Sequence, residues 1–120
     1  MTSSDAFSWS CVLQIVSASE FARTLISNGA GTDHAWGGNH FILGGSGKGG
    51  KIHGLYPSDL TENGNLNIGQ GRLIPSTPWE GVWNAVAEWF GVSSQNMNTV
   101  LPNKPNFGGV NIFNSAEMFE

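Results

Sequence analysis

The chain has 120 residues, the length of a single domain, and only 12% are charged, about half the usual share. Nine acids face five bases, for a net charge of −4, and Lys48 and Lys51 are the only close basic pair, so nucleic-acid binding by phosphate neutralisation is not expected. The single Cys11 excludes an internal disulfide, and no apolar run approaches the ~20 residues of a membrane span.

Residues 1–16, MTSSDAFSWSCVLQIV, lack a basic leader region and carry an early Asp5, so they do not read as a signal peptide. The compartment stays open. Within them residues 11–16, CVLQIV, predict a short buried strand. SASEFARTL, residues 17–25, reads as a polar loop with a brief helical turn, and NGAG, residues 28–31, as a turn. A second strand is expected at 41–43. The run GGSGKGGKIHG, residues 44–54, excludes a regular element and lacks the Gly-Lys-Ser/Thr ending of a phosphate loop. NGNLNIGQG, residues 63–71, is turn-rich, and GRLIP, residues 71–75, predicts a third strand stopped by its proline.

The clearest element is a helix over 78–90. Thr77 is a suitable N-cap, Pro78 fits the first helical position, Glu80 completes a Thr-x-x-Glu capping box, and Gly91 ends it. Trp79, Val82, Trp83, Val86, Trp89 and Phe90 recur at three- and four-residue spacing and give an apolar face, read as packing. Ser93 or Ser94 can cap a second short helix ending before Pro102. The tail, PNKPNFGGVNIFNSAEMFE, has no sustained period and reads as irregular with frayed last residues.

The chemically suggestive stretch is GTDHAWGGNHF, residues 31–41. Adjacent Asp33 and His34 face opposite sides of a strand and diverge on a helix, but in a loop both can turn toward one cation. A reversal at Gly37-Gly38 would bring His40 back to them. Carboxylate and imidazole together suit Zn²⁺ or another divalent transition metal. The spacing matches no standard zinc finger, so ordinary loop hydrogen bonding competes with the metal reading and on spacing alone comes first. Glu20, just after the first predicted strand, is either a ligand-facing carboxylate or a solvated loop acid, and Arg23 could pair with it or hold an anion. His53 reads as a surface or hydrogen-bonded side chain.

Several separated stretches together resemble one family: SASEFARTL, GTDHAWGGNHFILGG, KGGKIHGLYP, GQGRLIPSTP, AEWFGV and LPNKPNF. In consistent order from about Val12 to Phe107, they look like the C-terminal part of the domain-of-unknown-function 1501 family, which belongs with the alkaline phosphatase and sulfatase superfamily. The resemblance implies an α/β fold: a truncated, loop-rich C-terminal part of an α/β sandwich with a mostly parallel sheet, few short strands and one or two helices. It implies an unrelated or disordered segment at 1–10, the partial domain at 11–107 and an irregular tail at 108–120. It also implies metal ligands on loops at strand ends. Asp33 and His34 fall on the family's Asp-His pair, His40 on its His before Phe, and Glu20 in its Ser-Glu-Phe-Gly-Arg segment. The implied cofactor is a divalent cation, zinc or manganese, and the implied chemistry is hydrolysis or transfer of phosphate or sulfate esters.

Four positions depart from the family pattern: Ala22 and Ala35 replace glycines, Asn39 a frequent His, and His53 a common Tyr. Family members are also much longer, with the nucleophile and remaining ligands on an N-terminal portion. The expected function is therefore a partial metal-dependent ester hydrolase, inactive alone and taking a small anionic ester only if a complete site is assembled. The alternative is a non-catalytic module packing into a larger assembly, or against a companion chain, through its Trp-rich helix or an exposed strand. Relatives are often exported.

Overall fold

A computed structural model describes residues 13–108 and 111–120 of the chain. It is a small, loop-rich α/β arrangement with two two-stranded sheets and three short helices among the described residues. Strand β1 (Gln14–Val16) pairs antiparallel with β4 (Ile42–Gly44), in the register Gln14↔Gly44, Ile15↔Leu43 and Val16↔Ile42. Strand β2 (Ala22–Arg23) pairs antiparallel with β3 (His34–Ala35), with Arg23 opposite His34. Both described pairings thus differ from the mostly parallel sheet that the resemblance implies.

The expected first strand falls partly on residues 11 and 12, which lie outside the described residues, as do Cys11 and the 1–10 segment. The expected strand at 41–43 forms one residue later. SASEFARTL contains a strand, β2, where a helical turn was expected. Its extended backbone is held by Thr24, buried between hairpin arms, whose N–H donates to the Asp33 carbonyl at 3.0 Å while its Oγ1 accepts from the Asp33 N–H at 3.0 Å. The expected third strand at 71–75 shrinks to one bridge, Asn67↔Leu73. Gly71 has φ +73°, and a Cβ there would sit 2.7 Å from the Leu25 backbone nitrogen, so the chain turns sharply against Leu25 rather than running straight.

Helix α1 (Trp79–Trp89) forms within the expected 78–90, one residue shorter at each end. Its start differs in mechanism. Pro78 occupies the N-cap position and no side chain caps the helix. The Thr77 hydroxyl instead lies against Gly54 of the preceding loop, where a Cβ would approach it to 2.8 Å. Helix α2 (Ser94–Val100) starts after Ser93 and ends before Pro102, as expected. A short 3₁₀ turn follows at Lys104–Phe107.

The tail departs most from its sequence reading. Asn114 and Glu117 form a reciprocal capping box that starts helix α3 (Ser115–Met118). Met118 and Phe119 are both 2% exposed and join Ala85 and Val86 in the core, with Val16, Ile42, Val82, Trp83, Trp89 and Phe113 packed around them. Beyond α3 the backbone runs beside the glycine loop. Phe119 bridges Gly47, the Lys48 N–H donates to the Met118 carbonyl at 2.8 Å, and the Glu120 N–H to the Ser46 carbonyl at 2.8 Å. These long-range bonds hold the last residues in place, so they are not frayed. The helix signal was weak because a four-residue helix shows no period.

The β1–β4 sheet is apolar at consecutive positions rather than alternate ones. Val16 and Ile42 face the core. Ile15 and Leu43, paired directly across the strands, are 53% and 56% exposed, and Leu13 and Phe41, each two residues earlier in the chain, are more than half exposed.

Candidate functional site

The β2–β3 hairpin and the connections on either side of it carry all four candidate ligands. The hairpin turn is closed by the Asn28 N–H donating to the Gly31 carbonyl at 3.0 Å and the Ser27 hydroxyl donating to the same oxygen at 2.9 Å. Asp33 leaves this turn with its Oδ1 accepting from Asn28 Nδ2 at 2.7 Å. Its carboxylate therefore points back over the turn.

His34, on β3, stacks its ring on Phe21 with centroids 3.9 Å apart and planes at 23°. Arg23 lies over the same Phe21 ring, 5.1 Å from its centroid, and donates to the Thr32 carbonyl at 2.9 Å. Of the two roles open to Arg23, pairing with Glu20 or holding an anion, neither is seen; the side chain is held by this cation–π contact and backbone hydrogen bond. Glu20 is exposed, immediately before Phe21.

His40 sits on the other connection. Its Nδ1 lies 3.5 Å from the Ser17 hydroxyl, which itself accepts from the Phe41 N–H at 2.8 Å. Its ring is tilted against Trp79, with centroids 4.8 Å apart. His53 is half-buried and meets the edge of Phe113 at 6.0 Å.

Glu20, His34 and His40 are thus strung along the connection from Ser17 to Phe21, while Asp33 is turned into the hairpin loop. Each of Asp33, His34 and His40 is engaged by a different neighbour. Among the described residues no group of three or more His, Cys, Asp or Glu side chains is placed to hold a metal ion. As arranged, the donors do not make a cation's ligand set, which needs about four converging donors for zinc.

Two concavities lie elsewhere. One, of about 430 Å³, is lined by Lys48, Glu88, Trp89, Ser115, Phe119 and Glu120. Glu88 is fixed there, accepting from Asn84 Nδ2 at 3.0 Å and from the Ser115 N–H at 2.8 Å. Asn84 also donates to the Phe113 carbonyl at 2.7 Å, so the network ties α1 to α3. Sequence reasoning passed over Asn84 and Glu88, whose only signal is two polar residues four apart on an otherwise apolar helix. The other concavity, an apolar groove of about 460 Å³, lies between α1 and α2 and includes Trp83, Val86, Phe90, Val100 and Leu101. Phe90, one of the expected packing residues, is 75% exposed at its edge.

The Thr61 hydroxyl and then the Thr61 N–H, at 2.8 Å, hold the Asp59 carboxyl below the usual carboxylate range. No described helix is long and apolar enough to cross a membrane.

No curated protein and no solved structure matches the chain. A family model described as a protein of unknown function, DUF1501, matches residues 13–64. The match spans all four strands, the hairpin and every candidate ligand, and it stops before α1. Through that segment, 52 of its 120 residues, the chain is similar to the domain-of-unknown-function 1501 family.

Proposed function

We propose that the chain is a non-catalytic packing module, an α/β unit that completes a larger folded assembly. The observation that carries this reading is the β1–β4 sheet. Its inner side chains, Val16 and Ile42, are covered by the α1–α3 core. Its outer side chains, Leu13, Ile15, Phe41 and Leu43, are all more than half exposed. Strands that are apolar on both faces are built to be covered on both faces, and contiguous apolar surface of this kind marks an interaction site. The partner is a companion protein chain, or a further segment of a family-type domain, that lays an apolar surface on this sheet.

Sedimentation velocity and binding of a hydrophobic dye test this on the intact chain. The expected result is self-association or strong dye binding, both reduced by Ile15→Lys and Leu43→Lys while the Trp fluorescence of the core is unchanged. A compact monomer that binds no dye overturns the proposal.

A second reading rests on the family match. Asp33, His34, His40 and Glu20 all lie in the matched segment, and three of them flank one short connection. In this reading the chain is part of a metal-dependent phosphate- or sulfate-ester hydrolase of the alkaline phosphatase type, inactive alone, and it holds the divalent cation weakly until a companion supplies further donors. Calorimetric titration with Zn²⁺ and Mn²⁺ tests it. Binding weakened by His34→Ala supports the reading, and binding that is absent or unaffected removes it.

A further inference from the structure

The dipeptide Asn-Gly occurs twice in the chain, at Asn28-Gly29 and at Asn63-Gly64. The geometry points to Asn28 as a site of spontaneous modification, at which its side-chain amide closes on the Gly29 backbone nitrogen and is lost as ammonia.

The chemistry needs only water. The Gly29 nitrogen attacks Asn28 Cγ and gives up its proton to solvent. An N–Cγ bond forms, the Cγ–Nδ2 bond breaks, and Nδ2 takes a proton and leaves as ammonia. Water then opens the cyclic imide at either carbonyl, leaving aspartate or isoaspartate at position 28.

The hairpin turn favours the first step at Asn28. Gly29 has φ +92°, and apart from its own chain neighbours nothing lies within 4 Å of where a Cβ would be, so no distant segment crowds the turn. The Ala30 N–H donates to Asn28 Oδ1 at 2.9 Å, on the oxygen where negative charge develops during attack. The Gly29 N–H donates to the Ser27 hydroxyl oxygen at 3.1 Å, and because Ser27 is exposed this partner, unlike the backbone around Gly64, can be exchanged for the water that takes the proton. Residues 27–34 are all exposed, so water reaches the imide.

Asn63-Gly64 is built the other way. Gly64 is buried, and a Cβ there would lie 2.5 Å from the Asp59 carbonyl oxygen. Its N–H donates to the Thr61 carbonyl at 3.1 Å and its carbonyl accepts from Asn67 at 2.9 Å. The nitrogen is enclosed by backbone, and attack requires this turn to open.

The modification at Asn28 has a structural consequence. Asn28 Nδ2 is a donor to Asp33 at 2.7 Å. Conversion replaces that donor by a second carboxylate facing the first, and the isoaspartyl form also lengthens the backbone. The hairpin turn loses its bond to Asp33 and gains a like-charge contact, which releases the Asp33 carboxylate to solvent.

The test is peptide mapping by mass spectrometry of the intact chain, aged in warm, mildly alkaline buffer, with isoaspartate labelling. Native protein is expected to convert at position 28 about tenfold faster than at 63, equivalent to a barrier difference of about 1.4 kcal/mol. In concentrated urea the two rates should approach each other, because only the fold distinguishes the sites. Asn28→Gln should abolish conversion at 28 and leave 63 unchanged. Equal rates in the native protein, faster conversion at 63, or a tenfold ratio that persists in urea would each overturn the proposal.

Discussion

Replacing Phe119 by Ala probes whether the C-terminal residues are structural. Phe119 is 2% exposed, its ring packs on Trp89 with centroids 5.3 Å apart, and it is one of four residues in the buried cluster. Truncating a buried Phe costs about 3–5 kcal/mol, from lost transfer energy and the cavity left behind. The neighbours Ala85 and Val86 are held on a helix and cannot collapse far into the space, so the loss belongs in that range. Urea unfolding of the full chain, followed by Trp fluorescence, reads it directly. With a slope of about 1–3 kcal/mol per molar urea, the midpoint should fall by roughly 1–5 M or the protein should be unfolded at the outset. Phe119→Leu keeps most of the volume and should cost less than about 1.5 kcal/mol. If Phe119→Ala changes stability by no more than the ~0.5 kcal/mol of a surface substitution, the tail is not part of the core and the packing argument fails.

Gly81→Ala lies inside α1, where Ala ordinarily gains about 1 kcal/mol over Gly, yet here the new Cβ would collide with the Asn111 carbonyl oxygen; thermal unfolding should show a loss of stability, and a gain would refute the close approach. Asp59 is fully exposed and its carboxyl is held below its ordinary value, first by the Thr61 hydroxyl and then by the Thr61 N–H. A folded value below the unfolded one means the turn's contribution is present above the unfolded value of about 3.9 and is lost as pH falls through the lower folded value. An NMR titration should place the Asp59 midpoint below the ordinary Asp value of about 3.9, and Thr61→Ala should move it up toward the ordinary carboxylate range. Asn84→Ala removes the donor to Glu88 and to the Phe113 carbonyl and should cost about 1–3 kcal/mol in urea unfolding, the penalty of unpaired buried acceptors.

Much of the helical framework was legible because its signals are local. Pro78 and Gly91 bound α1 from either side, and Ser93 and Pro102 bound α2, since a proline or a glycine constrains its own backbone wherever the rest of the chain goes. The strands at Gln14–Val16 and Ile42–Gly44 were legible as short apolar runs. The candidate site was legible only as a set of residue types. Asp33, His34 and His40 stood out by composition, but their directions are decided by Asn28, Phe21, Ser17 and Trp79. Two of these, Ser17 and Trp79, lie more than 20 residues from His40 in the chain.

The amino-acid order by itself determined where the backbone must turn, where α1 and α2 start and stop, and which strand residues are apolar on both sides. Those outcomes follow from each residue's own conformational limits and hydropathy. Only the tertiary structure decided that Met118 and Phe119 complete the core, that β2 and β3 form a hairpin around Thr24, and that the described residues leave the outer face of β1–β4 exposed. Each of these depends on contacts between distant segments, whose free energy appears only when the chain has folded and both partners are in place.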